Sequence, residues 1–475
     1  MAKTAPPHPR SMGFAARKPA VVAAFAALLG FGGTSCSGES SPERMNLLFI
    51  SVDTLRADHL SCYGYERPTS PVIDALAADG HRFKSAFTVM ATTLPAHLSM
   101  FTSLFPAQTG VLANGFTVPE GVETLAERLK PAGYQTGGFV SAYPLNGQFQ
   151  IQQGFDHYDF PTQASRTGAD TFGAAIEWMQ ARDPKAPFFC FVHSFDPHTW
   201  YQVDEAKFAD PFGAPRGRKF PPDRGFLTRP IPKGVQTATL NTYDAEIRYA
   251  DAQVDRLLNY LDEEGLRDNT VIVFVSDHGE SLDELAGRGY MFDHGEFLCR
   301  RELRIPLIFW LPRSYDERGP GVHDDVVNVL DIMPTVLDLL GLECAPPTAG
   351  QSLTGLMAGD ELRPRMHFAT RRILEQRDKK HLQGEEFSVI DGRWHWISSK
   401  ARPNKLFDMS ADPNEKRNLI AEHPERVETL KGALDDWKAA VAQQIWDSDG
   451  TVDSKTQSML ESLGYFDSSK KEEKK

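Results

Sequence analysis

The chain has 475 residues, 51 Lys plus Arg against 64 Asp plus Glu, 41% hydrophobic residues and a formal net charge of -13. That much apolar material supports a substantial core and excludes disorder over most of the length. A body this acidic lacks the summed positive field that holds a phosphate backbone, so nucleic acid is not an expected partner.

In chain order, residues 1–36 read as a signal peptide or lipoprotein leader. Lys3, Arg10, Arg17 and Lys18 precede any acid, an apolar run spans Ala20 to Phe31, and Gly32, Gly33, Thr34 and Ser35 lead to Cys36. The apolar run is shorter than the roughly 20 residues that cross a bilayer, which favours an export signal over a permanent span. The layout resembles bacterial lipoprotein leaders, in which such a cysteine becomes the lipidated first residue, although Gly33 departs from the usual aliphatic residue. Ordinary cleavage and an uncleaved anchor are the alternatives to membrane attachment through lipidated Cys36. Residues 37–44 then form a polar tether, and the expected location is exported, periplasmic or at the cell envelope. Cys62, Cys190, Cys299 and Cys344 have neither CxxC nor zinc-finger spacing and imply no disulfide framework.

Three apolar, β-rich runs stop at acidic and imidazole groups. Asn46 to Val52 runs into Asp53, Pro187 to Val192 into His193, Asp196 and His198, and Val271 to Val275 into Ser276, Asp277 and His278. Continuous runs of this kind, separated by helical patterns at Pro71 to Asp79, Ser165 to Gln180 and Tyr243 to Leu261, predict a mostly parallel, doubly wound α/β sheet flanked by helices. In such sheets ligands bind beyond the carboxyl ends of the strands, so the three polar clusters are expected on one face. Singly, each Asp has an ordinary reading as a turn or cap residue. Asp277-His278-Gly279-Glu280, repeated as Asp293-His294-Gly295-Glu296, instead suits a divalent metal held by oxygen and nitrogen.

From Met90 to Leu104 a polar turn gives way at Pro95 to a helical pattern with Leu98, Phe101 and Leu104 on one face. Proline suits a first helical turn, which puts Thr93 at or just before the helix start. The positive end of the helix favours an oxyanion there; the plainer reading is that Thr92 or Thr93 caps the helix.

These residues resemble the sulfatase family of the alkaline phosphatase superfamily over nearly the whole mature chain. The matching blocks include Val52 to Leu60, Cys62 to Tyr65, Ser70 to Ala77, Phe83 to Gly110, Asp196-Pro197-His198, Ser276 to Glu280, His294-Gly295-Glu296 and Asp331 to Asp338. Leu406 to Met409 with Asp412 to Glu415 matches the family's closing block. The resemblance implies a catalytic α/β domain over 45–345 and a small C-terminal α+β subdomain over 346–445. Residues 446–475 read as a charged, partly disordered tail.

The family's chemistry carries over with departures. Sulfatases oxidise a Cys or Ser in Cys/Ser-x-Pro-x-Arg to formylglycine, whereas the matching residues here are Thr93-Leu94-Pro95-Ala96-His97. Oxidising threonine at its branched carbon gives a ketone, not the aldehyde whose hydrate attacks sulfur. The family's lysine-tryptophan-histidine element is replaced by Gly138-Phe139-Val140-Ser141, and its first aspartate pair appears as Asp53-Thr54. The resemblance therefore implies relatives that use threonine directly: Thr93 attacks a phosphoryl group, and a covalent ester is then hydrolysed. Asp53, Asp277 and His278 carry over as metal ligands beside Thr93. His198 and His294 bind the transferred group or protonate the leaving group; with Asp196 they form the alternative of a second metal site. His97, at the family's arginine position, either serves the same anion or is a buried histidine of the first helical turn.

The expected activity is cleavage of a phosphate or phosphonate ester on a small-molecule, glycan or lipid-linked substrate, with one or two divalent ions drawn from Ca, Mn, Zn or Mg. Sulfate ester cleavage without formylglycine and a catalytically silent anion-binding protein are the alternatives. The Pro-, Arg- and Gly-rich stretch Pro211 to Gly234 reads as a long loop, with Arg216, Arg218, Lys219, Arg224 and Arg229 either meeting an anionic substrate or solvated. Trp200 and Tyr201 either line the pocket or anchor that loop.

Overall fold

The computed structural model describes residues 44–198, 201–219, 231–285, 291–316, 318–371, 384–443, 446, 448–463 and 465. The leader, Cys36, Trp200, Arg224, Arg229 and residues 466–475 lie outside the described residues. Residues from Arg44 onward belong to one compact unit.

The main sheet has nine strands: β1 Asn46–Val52, β2 His81–Phe87, β3 Gln135–Val140, β4 His157–Asp159, β5 Phe188–Ser194, β6 Thr270–Val275, β7 Arg304–Ile305, β8 Leu307–Trp310 and β9 Gly321–Asn328. Their order is β4-β3-β5-β1-β6-β8-β2-β7, with β9 also paired to β2. Strands β4, β3, β5, β1 and β6 run parallel to one another. Strand β8 is antiparallel to both β6 and β2, so the sheet is mixed and mostly parallel.

Helices cover both faces because every residue of β1 is buried and apolar side chains leave it on either side. Leu47 and Phe49 join Leu94, Leu98 and Phe101 of the helix Thr93–Thr102. Leu48, Ile50 and Val52 join the helices Pro71–Ala78, Gly168–Ala181 and Lys233–Glu263. The long helix starts at Lys233, ten residues before the apolar periodicity at Tyr243; its first turns carry few buried side chains and so show no apolar pattern.

A second, antiparallel sheet is formed by β10 His367–Thr370, β11 Glu386–Asp391, β12 Trp394–Ser399 and β13 Lys405–Asp408. The helix Pro424–Val441 seals one side, where Leu430 and Leu434 meet Val389, Trp396 and Leu406. This is the α+β subdomain expected after residue 346.

Within the stretch expected as a tail, residues 448–463 and 465 are folded against the main unit. The helix Ser454–Ser462 is capped by the Asp453 side chain, which accepts from the Thr456 amide. Leu460, Leu463 and Tyr465 are buried in the cluster that contains Phe101. These apolar groups, spaced along a largely polar stretch, help dock it, a fully buried aliphatic side chain contributing roughly 1.5–3 kcal/mol. The four described cysteines form no disulfide.

Candidate active site

Strands β5, β1 and β6 end side by side, with Ser51 opposite His193 on one side and Val275 on the other. The register brings the three polar clusters to one edge, as the strand pattern predicts. Strand β5 continues through His193 and Ser194, two residues beyond the apolar run.

At the end of β1 the chain turns sharply. Thr54 has φ of 54°, a left-handed conformation that is costly for a β-branched residue. Three bonds hold it: its amide donates to Asp277 Oδ1 at 3.2 Å, its hydroxyl donates to the Pro197 carbonyl, and its carbonyl accepts from Tyr243 at 2.8 Å. The turn thereby ties the ends of β1, β5 and β6 together and fixes Asp53 between them. At the end of β6, Gly279 is needed for space: a Cβ there would lie 2.1 Å from the Arg301 carbonyl oxygen.

Asp53, Asp277 and His278 are fully buried, and their ligand atoms lie within 4.8 Å of one another, the one such group among the described residues. Both Asp53 oxygens, Asp277 Oδ2 and His278 Nε2 are buried without a hydrogen-bond partner. Burial, then the charge of Glu280, pushes the Asp53 carboxyl well up, against the nearby Thr93 hydroxyl and Thr54 amide. Burial, then the charge of Asp53, does the same to Asp277. Burial, then the neighbouring His294, keeps His278 neutral. His193 Nε2 lies 3.3 Å from Asp53, but burial lowers this imidazole to about 3, so it supplies no compensating charge. Two buried carboxylates and a neutral imidazole with unspent lone pairs make a donor set suited to a divalent cation.

Thr93 is the first residue of its helix, after Thr92 in extended conformation. Neither threonine caps it. The Thr92 hydroxyl donates to the Ala91 carbonyl, and the Leu94 amide is taken by Asn114 Oδ1 at 2.9 Å. The Thr93 hydroxyl lies 2.9 Å from the phenol oxygen of Tyr465. That phenol is also 3.0 Å from His198 Nε2.

The imidazoles form a second layer. The rings of His198 and His294 are 5.0 Å apart, those of His278 and His294 4.4 Å, and His294 Nδ1 lies 3.6 Å from Glu280. Asp196 does not join them: its Oδ2 accepts from the Gly168 amide at 2.9 Å and from Ser194 at 3.4 Å. The grouping of Asp196, His198 and His294 expected for a second metal is therefore not assembled. His97 takes the second of its two expected places, fully buried with Nε2 2.9 Å from Ser51 Oγ and Nδ1 2.8 Å from the Thr93 carbonyl. It braces the first helical turn against β1.

Tyr201 proves to be an anchor as well as a site neighbour, since its hydroxyl donates to Glu280 Oε2 at 2.7 Å and its ring packs on Tyr243. Arg216, Arg218 and Lys219 are exposed on the surface. Tyr465 and Glu280 are the neighbours that the motifs did not single out as site residues. Glu280 stood within the Asp-His-Gly-Glu stretch, whereas the polar sequence around Tyr465 carries no signal of its destination.

Fold and site are those expected of a metal-dependent ester hydrolase of the sulfatase and alkaline phosphatase superfamily, the class that the family match shows. The sulfatase family profile matches residues 45–342, and the profile for the C-terminal region of N-sulphoglucosamine sulphohydrolase matches 287–440. The chain belongs to the sulfatase family. It is 23% identical over 411 residues to an ulvan-active sulfatase of Formosa agariphila, covering 80% of this chain and 76% of that one. It is 25% identical over 441 residues to a choline-sulfatase of Rhizobium meliloti, covering 80% and 83%. Among solved structures, a protein in complex with its substrate D-glucosamine-2-N,6-O-disulfate superposes with a TM-score of 0.70 at 21% identity, covering 84% of this chain and 98% of that one. The phosphonate monoester hydrolase of Agrobacterium radiobacter superposes with a TM-score of 0.68 at 21% identity, covering 85% and 96%.

Proposed function

We propose that this chain hydrolyses a phosphate or phosphonate ester through Thr93. The observation that carries the reading is the Thr93 hydroxyl, which stands at the first residue of its helix beside the Asp53 carboxylate. Threonine cannot supply the aldehyde that the family's sulfate chemistry uses, whereas its hydroxyl is a competent nucleophile for phosphorus. Asp53, Asp277 and His278 would hold one divalent ion with Thr93 beside it, and that ion would supply positive charge to the reacting oxygens.

The chain's own residues do the rest. The Thr93 oxygen, its proton released to solvent, forms a bond to phosphorus while the bond to the alcohol oxygen breaks. His198 and His294, whose rings stand near that of His278, would bind the transferred oxygens and give the leaving alcohol its proton. Water then cleaves the Thr93 ester and restores the hydroxyl. The positive end of the helix Thr93–Thr102 favours the anion in both steps.

The substrate is read as an anionic ester on a small molecule or glycan, a class supported by the relatives named for sulfated saccharides and by the phosphonate monoester hydrolase. The sulfatase relatives favour a second reading, sulfate ester cleavage without formylglycine. Residues 1–36 support export to the periplasm or cell envelope, with Cys36 as the point of lipid attachment. Turnover of matched nitrophenyl sulfate, phosphate monoester, phosphodiester and phosphonate by metal-supplemented protein, with Thr93→Ala as blank, tests the reading. Phospho- or phosphonoester turnover lost in the blank is expected; dominant sulfate turnover would overturn it.

A further inference from the structure

The C-terminal segment is built into the fold, not laid over it. Ser448 donates to the Thr117 carbonyl, the Thr117 amide donates to Asp449, and the Trp446 amide donates to Gln108. Thr456 Oγ1 lies within 3.3 Å of the Tyr143 hydroxyl and 3.1 Å of Gln148 Nε2. Gly115, at φ of +92°, leaves room for the segment: a Cβ there would stand 3.0 Å from Leu460 and 3.3 Å from Val452. Leu460 is wholly buried and its carbonyl accepts from the Tyr465 amide. These contacts fasten the segment to the rest of the fold.

Its last described residue reaches the reacting atoms. The Tyr465 side chain is buried, and its single hydroxyl lies 2.9 Å from Thr93 Oγ1 and 3.0 Å from His198 Nε2. A phenol has one proton to donate and lone pairs to accept with, so it serves both partners at once. Its ring also stands against His294, with centroids 5.9 Å apart.

We propose that Tyr465 is a residue of the catalytic pocket, whose hydroxyl holds Thr93 Oγ1 and His198 Nε2 in the arrangement needed for attack and donates to an oxygen of the transferred group when substrate enters. The inference rests on Thr93 being the nucleophile. No bond to Tyr465 forms or breaks, and its proton stays on the phenol oxygen, changing only the acceptor it faces. The chain's end thereby helps set which anionic group fits between nucleophile and imidazole.

The test is Tyr465→Phe in the full-length protein with manganese, a change that removes one oxygen and leaves the ring to pack. Expected are an unchanged melting temperature, a kcat lower by about tenfold to a hundredfold with KM much less affected, and orthovanadate binding weaker by about fivefold in calorimetry. An unchanged or raised kcat, or vanadate binding as tight as in the wild type, would overturn the proposal. So would a loss of melting temperature that accounts for the lost activity, which would make the residue purely structural. Failure of the underlying reading is separately visible: activity retained by Thr93→Ala removes the nucleophile assignment whatever Tyr465→Phe does. Should the wild type turn over none of the four esters, vanadate binding alone decides the role of Tyr465.

Discussion

Asp277→Asn separates the stability of the metal-free site from its capacity for metal, and the two are predicted to move in opposite directions. The ligand atoms of Asp53 and Asp277 lie within 4.8 Å of one another and are buried. Two like charges at that separation repel by about 3.5 kcal/mol at an effective dielectric of ~20. Proton uptake relieves part of this, because both carboxyls are pushed upward by burial and then by a neighbouring negative charge. The asparagine keeps an oxygen at the place of Oδ1, which accepts from the Thr54 and His278 amides at 3.2 and 2.8 Å. In chelator the variant is therefore expected to be more stable than the wild type by about 1–3 kcal/mol. With a divalent ion at a hundred times its dissociation constant, the wild type should gain about 2.7 kcal/mol, and the variant little or none. Denaturant unfolding with and without metal measures both, and elemental analysis gives the bound ion. A variant that is less stable in chelator and equally stabilised by metal would refute the reasoning.

Two further changes probe the scaffold. Asp251 is buried behind the start of the helix Pro71–Ala78, accepting from the Val72 and Ile73 amides, and burial raises its carboxyl to about 7. The folded state then holds a proton that the unfolded chain releases near pH 4, so wild-type stability relative to Asp251→Asn should fall between about pH 4 and 7, by up to ~1.4 kcal/mol per unit, and level off above. A flat difference across that range in denaturant unfolding would contradict the assignment. Asn114→Ala removes the acceptor for the Leu94 amide, and a loss of about 1 kcal/mol is expected; unfolding midpoints within error of the wild type would mean that the helix start does not depend on it.

Much of this site was legible because the chemistry sits where a strand pattern changes. The apolar runs ending at Asp53 and Asp277 read as buried parallel strands, and the ends of such strands converge. The role of Asp196 was harder to read, since proximity in sequence to His198 says nothing about the direction of its carboxylate, which turns to the Gly168 amide. His97 aligned with an arginine position, yet its Nε2 meets Ser51 of β1 and its Nδ1 the Thr93 carbonyl of its own helix, 3.8 Å from Asp277. Tyr465 was beyond sequence reasoning because 372 residues separate it from Thr93. Its docking rests on a few apolar side chains in a stretch whose charge and polarity resemble those of a solvated tail.

The central claim is that Thr93 carries the transferred group during turnover. Acid quenching the metal-supplemented enzyme during turnover of a phosphoester, followed by peptide mass mapping, tests it most directly. The account predicts one phosphoryl group on the peptide containing Thr93, fragmenting to that residue and absent from Thr93→Ala. An unmodified Thr93 peptide together with full activity in Thr93→Ala would contradict it.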